Sequence, residues 1–94
     1  KNDMLLFFSV GGGSLERKIS VNLINAAKYG KKKRSKIASV IGRKQGYLKK
    51  VSNACCVVPT VNKYSITPHT ETYQVFVWHM LVSHPKLQIK KTVW

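Results

Sequence analysis

Three short apolar runs, each ended by glycine or proline, constrain the fold of this chain more than any other feature. The runs are MLLFFSV at residues 4–10, KIASVIG at 36–42 and ACCVVP at 54–59. Continuous apolar runs of this length suit strands that are covered on both faces, and glycine or proline commonly ends such strands. We therefore predict three buried strands.

Segments with helical spacing separate and follow these runs. Residues 20–34 carry apolar side chains on one side, with Ser20 as the predicted N-cap, and 43–53 fits a loop with a short helix. A third segment, at about 70–83, has apolar residues at helical spacing: Tyr73, Val77, Met80 and Leu81. Alternating strands and helices predict an α/β fold with a parallel sheet and right-handed crossovers.

The charge balance bears on the partners of the chain. Its 94 residues fit one small domain, with 17 Lys and Arg against three acids and a net charge of +14. Clustered cations attract phosphate backbones, but 14 of these are lysines, whereas arginine is the residue suited to bidentate reading of bases. Nucleic-acid binding is therefore not the expected main function. The run at 31–34, KKKR, complements a helix dipole, although the same letters could spell a nuclear-localisation signal.

The cysteines and the apolar runs indicate a cellular compartment. Cys55 and Cys56 are adjacent within a predicted strand, so their side chains point to opposite faces and a disulfide between them is not expected. We predict that both are small buried side chains in a reducing compartment. Because the longest apolar stretch is too short to span a bilayer, the expectation is a cytoplasmic protein without a membrane partner.

A glycine-rich turn follows the first predicted strand. On a parallel sheet, ligands bind at the carboxyl ends of the strands. Backbone N–H groups and serine hydroxyls there could hold a phosphate. The candidate phosphate-binding residues are Ser9, Gly11, Gly12, Gly13, Ser14 and Ser20. A turn that contacts no ligand is an equally good interpretation, because GGGS lacks both the GxGxxG spacing and the GK[ST] lysine.

Three ordered segments together go beyond these general patterns. They are FFSVGGGSLERKISVNLINAAKYG, SVIGRKQGYLKKVSNACCVVPTVN and TPHTETYQVFVWHMLVSHPKL. In this order and spacing they resemble the carboxyl-terminal half of the sugar-isomerase (SIS) domain of phosphoheptose isomerases. The resemblance covers nearly the whole chain, so residues 1–94 are expected to form a single, partial SIS domain that begins within the domain.

The resemblance implies a fold and a reaction. Family members have a fold of three layers, αβα, with a flavodoxin-like parallel sheet between helices. They bind sugar phosphates between the subunits of homo-oligomers. They interconvert sedoheptulose 7-phosphate and glycero-manno-heptose 7-phosphate, an aldose–ketose isomerisation. In these enzymes a hydroxyl-rich turn after a strand holds the phosphate, and that turn matches Ser9 to Ser14 here. The expected ligand is therefore a phosphorylated sugar of the sedoheptulose 7-phosphate class.

The resemblance also assigns roles within the last helix. His79 matches a histidine proposed as the catalytic acid/base, and Glu71 falls where many members have a metal- or substrate-binding glutamine. It allows zinc as a cofactor, with Glu71 and His79 as candidate ligands. Eight residues of one straight helix separate these two by about 12 Å, so a shared site would need another subunit or a bend. His69 and His84 are weaker candidates.

Three functional hypotheses follow from the sequence. The first is a sugar-phosphate isomerase or a fragment of one; the family's first half, with its catalytic glutamate, has no counterpart here, and full activity from these residues alone is not expected. The second is a non-catalytic sugar-phosphate-binding module. The third is a basic protein that uses its lysines on nucleic acid, with binding that weakens steeply with salt.

Overall fold

The computed structural model describes residues 2–91 of the chain. Three strands and three helices alternate along it. The strands are β1 (Met4–Ser9), β2 (Lys36–Ile41) and β3 (Ala54–Val57). The helices are α1 (Val21–Lys32), α2 (Tyr47–Val51) and α3 (Ile66–Ser83). Each strand lies where an apolar run predicts it, and each ends one or two residues earlier than predicted.

The three strands form one parallel sheet in the order β1-β2-β3. Met4 lies opposite Lys36 at the start of the first pair, and Ala38 lies opposite Ala54 at the start of the second. Parallel strands need crossover connections, and α1 and α2 supply them. The predicted α/β class with a parallel sheet is therefore confirmed.

Helices cover both faces of the sheet. Side chains alternate between the two faces along a strand, so Leu5 and Phe8 point to opposite sides of β1. Leu5 packs against α1, where a Cβ added to Gly30 would lie 2.5 Å from its Cδ1 atom. Phe8 meets Trp78 of α3 edge to face, with ring centroids 5.6 Å apart. Helix α1 thus lies on one side of the sheet and α3 on the other.

The hydrophobic core lies between the sheet and the helices α1 and α2. Its buried members come from all of these elements: Phe7, Ala27, Ile37, Ile41 and Leu48. The face towards α3 is less well covered, since the β1 side chains Met4 and Leu6 are 58% and 46% exposed. Most of the hydrophobic burial that stabilises the chain is therefore on one side of the sheet.

Helix α3 differs from its prediction in two respects. It begins at Ile66 rather than Thr70, because Pro68 falls within the first turn, where a missing N–H costs no hydrogen bond. Of the four apolar residues at helical spacing, Val77 and Leu81 are half-buried, whereas Tyr73 and Met80 are exposed. The buried positions of α3 are polar instead: Thr70 and Gln74.

The structure bears on the predictions about the cysteines and about a membrane span. Both cysteines are free thiols, as predicted, but Cys55 is half-buried and Cys56 is exposed, so the prediction that both are buried was wrong. The physical reason is that Cys56 points to the thinly covered face of an edge strand. Among residues 2–91, no helix has the length and apolar character needed to cross a membrane.

Candidate functional site

The glycine-rich turn leaves β1 and passes closely over the start of α2. Gly12 and Gly13 have φ values of +74° and +82°, in the left-handed region that glycine adopts without steric cost. A Cβ added to Gly12 would lie 3.1 Å from the Cα atom of Gly46, just before α2. The glycines therefore allow two backbone segments to approach each other.

Hydrogen bonds fix this contact. The N–H groups of Tyr47 and Leu48 donate to the carbonyl oxygens of Gly13 and Gly12, each at 2.9 Å. First-turn N–H groups have no partner within their own helix, and the carbonyls of the turn satisfy these two. The start of α2 is thus occupied by protein, and anions have no access to these two donors.

Two serine hydroxyls brace the turn. Ser9 Oγ accepts a hydrogen bond from the N–H of Gly12 at 3.0 Å, and Ser14 Oγ accepts one from the N–H of Arg17 at 3.2 Å. A hydroxyl that accepts still has its own proton to donate. Both serines therefore stabilise the turn and keep a donor that a ligand oxygen could use.

Ser20 occupies the N-cap position of α1, as predicted, but its hydroxyl makes no capping hydrogen bond. Its backbone is left-handed, with φ +53°, rather than in the extended conformation of a usual N-cap. Only its carbonyl acts, accepting hydrogen bonds from Leu23 and Ile24 at 3.0 and 3.2 Å. The predicted N-cap position is therefore confirmed, and the cap acts through its backbone carbonyl.

A cleft of about 670 Å³ opens between the turn and the loop after β2. This volume lies within the range of small-molecule sites. We call it the glycine cleft, and its lining residues are Val10, Gly11, Gly13, Ser14, Glu16, Arg17, Ile19, Arg43, Gln45 and Gly46. Of the six predicted phosphate-binding residues, Gly11, Gly13 and Ser14 line it. The other three, Ser9, Gly12 and Ser20, lie outside its lining.

Two arginines line the glycine cleft, and sequence reasoning missed both. Arg17 and Arg43 are two of only three arginines in the chain. Their guanidinium groups suit phosphate oxygens, whereas Glu16 is the one carboxylate in the lining. A positional signal existed for Arg43, since it directly follows the glycine at the carboxyl end of β2, where parallel sheets bind ligands.

A second, smaller cleft of about 370 Å³ adjoins the first. It lies between the loops that follow β2 and β3 and reaches the first residue of α3, Ile66. Arg43 and Gln45 line both clefts. The carboxyl edge of the sheet therefore offers one extended groove, with Arg43 at its middle.

Gln74 anchors α3 beneath this edge. Its Nε2 atom donates to the carbonyl oxygens of Ser9, at 3.1 Å, and Val40, at 3.0 Å, and the side chain is buried. Sequence reasoning missed Gln74, because a glutamine in an apolar helix gives no periodic signal. It ties the last helix to the two strands that lead into the glycine cleft.

The predicted catalytic pair lies apart from both clefts. Glu71 and His79 are exposed, and neither belongs to the lining of the glycine cleft or of the smaller cleft. Thr70 packs against Gly42 at the carboxyl edge. His79 follows nine residues later, about 13 Å along the helix axis. The ring of His79 lies beside that of Trp78, with centroids 6.2 Å apart.

The histidines and acids within the described part of the chain do not form a metal site. Within residues 2–91, no group of three or more His, Cys, Asp or Glu side chains could hold a metal ion. Glu71 and His79 lie on one helix, about 12 Å apart along its axis, which is too far for both to bind one ion. The residues therefore do not fit the zinc that the resemblance allows. His69 instead packs on Tyr73, and His84 Nδ1 accepts a hydrogen bond from the N–H of Lys86.

No protein-family model, curated protein or solved structure matches this chain. The likeness to phosphoheptose isomerases therefore rests on the sequence segments quoted above. Any functional assignment depends on those segments together with the geometry of the glycine cleft.

Proposed function

We propose that the glycine cleft binds the phosphate group of a phosphorylated sugar, of the sedoheptulose 7-phosphate class. One observation carries this proposal: Ser14, Arg17 and Arg43 line a single cleft at the carboxyl edge of a parallel sheet. A guanidinium group forms charge-assisted, often bidentate hydrogen bonds with phosphate oxygens, and a serine hydroxyl can donate one more. The groove that continues past Arg43 leaves room for the sugar carbons.

The proposed reaction is an aldose–ketose isomerisation in a flavodoxin-like SIS fold. In such a reaction a base takes a proton from the hydroxyl-bearing carbon beside the carbonyl group and returns it to the former carbonyl carbon, while the hydroxyl proton passes to the former carbonyl oxygen. His79 is the proposed base. Because His79 lies outside the cleft of its own chain, it would act on sugar held by a second copy. The exposed apolar side chains of α3, including Phe76 and Val82, support such a homo-oligomer.

A non-catalytic sugar-phosphate-binding module is the second candidate function. The observation in its favour is that Glu71 and His79 are exposed and line neither cleft. Both candidates place the protein in the cytoplasm, where Cys55 and Cys56 would stay reduced. They differ only in turnover.

Calorimetric titration with sedoheptulose 7-phosphate tests the shared proposal. Replacing Arg17 and Arg43 together by glutamine should weaken binding at least tenfold, since one charge-assisted hydrogen bond contributes about 1.5–3 kcal/mol. A charge-matched control replaces Lys63 and Lys86, which line neither cleft. Unphosphorylated sedoheptulose should bind weakly to every variant. Equal binding of the sugar with and without phosphate would refute the proposal.

A turnover assay separates the two candidates. For an isomerase, His79→Gln should abolish conversion while leaving the calorimetric affinity within about twofold of wild type. Mixing His79→Gln with the Arg17/Arg43 double variant should restore part of the activity if the site is shared between copies. Saturable binding without turnover, at concentrations where the chain is oligomeric, would favour the non-catalytic module.

A further inference from the structure

Six of the 17 cations of this chain lie at the edge of the sheet opposite the glycine cleft. Helices α1 and α2 run back from the carboxyl edge to the amino edge of the parallel strands, and both carry cations in their last turns. We call this surface the basic edge, and its residues are Lys31, Lys32, Lys33, Arg34, Lys49 and Lys50, all of them exposed. It is separate from every residue of the two clefts.

The ends of the two helices meet around the start of β2. After α1, the N–H of Ser35 donates to the carbonyl of Gly30 at 2.9 Å, and β2 begins at the next residue. After α2, Asn53 accepts a hydrogen bond from the N–H of Ile37 through Oδ1, at 2.8 Å, and donates its own N–H to the carbonyl of Ile37, at 2.7 Å. The two groups of cations therefore both lie near the start of β2.

Charge compensation at this edge is small. A helix carboxyl end carries roughly half a negative charge. The two helix ends together therefore supply about one negative charge, against six positively charged side chains. Of the three acids in the chain, Asp3 precedes β1 at this edge, while Glu16 and Glu71 lie towards the carboxyl edge. The helix dipoles therefore neutralise only part of the positive charge of the basic edge. Most of that charge is available to a polyanion.

Arg34 has an unusual backbone conformation for its residue type. Its φ is +60°, and its N–H donates to the carbonyl of Lys31 at 2.9 Å while Ser35 bonds to Gly30. This pattern is a Schellman helix end, in which glycine usually occupies the left-handed position. The chain has a guanidinium where glycine would fold more easily, and such strain often marks a functional position.

An aromatic ring lies among these cations. Tyr29 is 63% exposed, and Lys33 Nζ lies 5.6 Å from its ring centroid. Exposed aromatic rings beside cations are the surfaces on which unpaired bases stack. The apolar side of α1 is buried in the core, with Ile24 and Ala27 fully inaccessible, so the helix has no apolar face to insert into a bilayer. These features favour nucleic acid over an anionic membrane.

We propose that the basic edge binds single-stranded nucleic acid, independently of the glycine cleft. The lysines contact backbone phosphates and Tyr29 stacks on a base. Because lysine supplies point charges without the fork geometry that reads base edges, binding depends on length and salt and tolerates any sequence. This surface adds a second partner to the proposed sugar phosphate and does not rest on that proposal.

Fluorescence anisotropy with a labelled oligothymidylate of about 12 nucleotides tests the proposal. Replacing Lys31 and Lys32 by glutamine should lower the affinity at least tenfold. It should also reduce the slope of log K against log salt by about 1.4, since each phosphate contact on a single strand contributes about 0.7. The charge-matched control is the Lys63/Lys86 double variant, which should retain most of the affinity and slope.

A second pair of variants tests the aromatic contact. Tyr29→Ala should weaken binding about tenfold through lost stacking. Tyr64→Ala is its matched control, because Tyr64 is 85% exposed with Lys63 Nζ at 5.0 Å from its ring, outside the basic edge. A further variant, Arg34→Gly, keeps the helix end intact. It should weaken binding of the oligonucleotide without lowering the unfolding midpoint of the protein.

Three results would each overturn the proposal. Equal losses in the test and control variants would show that affinity follows net charge alone. Displacement of the oligonucleotide by saturating sedoheptulose 7-phosphate would place it in the glycine cleft. Binding of phosphatidylserine vesicles that the Lys31/Lys32 variant abolishes, with no binding of the oligonucleotide, would make the basic edge a membrane surface.

Discussion

Gly46→Ala isolates the contact between the glycine turn and α2. Gly46 has φ −61° and ψ 146°, a conformation that alanine adopts freely, so the substitution costs nothing in backbone strain. The new Cβ would lie 2.5 Å from the carbonyl oxygen of Gly11 and 2.8 Å from the Cα atom of Gly12. Both neighbours are backbone atoms, so the turn itself has to move away from α2.

The free-energy cost follows from three contributions. Overpacking costs about 2 kcal/mol, within the usual range of 1–3. Moving the turn breaks the hydrogen bonds from Tyr47 and Leu48, at about 1 kcal/mol each. Alanine also lowers the conformational entropy of the unfolded chain, which stabilises the folded state by about 0.7 kcal/mol. The net destabilisation is about 3 kcal/mol, a large share of the roughly 5–14 kcal/mol expected for a chain of this length.

Urea unfolding followed by circular dichroism measures this cost. With a slope of about 1.5 kcal/mol per molar urea, the midpoint should fall by about 2 M. Gly11→Ala is the matched control, since a Cβ there meets nothing within 4 Å. Its midpoint should stay the same or rise slightly. If Gly46→Ala unfolded within 0.5 M of wild type, or if Gly11→Ala were equally destabilised, the close approach would not be what holds the turn.

Two further substitutions test contacts elsewhere in the fold. Gln74→Met keeps the volume of the side chain but removes its hydrogen bonds to Ser9 and Val40, and should destabilise the chain by about 2 kcal/mol in the same urea assay; an unchanged midpoint would show that α3 is held by other contacts. Arg34→Gly relieves a left-handed residue and should stabilise the chain by about 1 kcal/mol, or roughly 4–8 °C in thermal unfolding; a lower midpoint would contradict the strain at this helix end.

The sheet could be predicted from the sequence because its signals are local. Each strand is a continuous apolar run with a glycine or proline at its end, and α1 has one apolar side. Helix α3 was harder, because its buried positions are Thr70 and Gln74. A glutamine becomes a core residue only when strand carbonyls lie within reach of its amide, and that depends on tertiary structure.

The candidate site shows the same limit. The glycines after β1 predicted a turn that could hold a phosphate, but the backbone that packs against them, at Gly46, lies far along the chain. Arg17 and Arg43 come from two different loops and meet only when β1 and β2 pair in register. The position of the candidate site at the carboxyl edge of the sheet was predictable from the sequence. The identity of the side chains that line the site was not.

Residues with positive φ serve the two ends of this sheet for different physical reasons. At Gly13, an added Cβ would lie 2.9 Å from a side-chain atom of Ile24, so packing as well as φ requires glycine. The side chain of Arg34 is exposed, so only the left-handed backbone conformation disfavours a non-glycine residue there, at a cost of about 1 kcal/mol. Glycine in the turn thus keeps the cleft together, while arginine at the helix end lowers stability and adds charge. A variant that gains stability and loses affinity for nucleic acid would connect that cost to function.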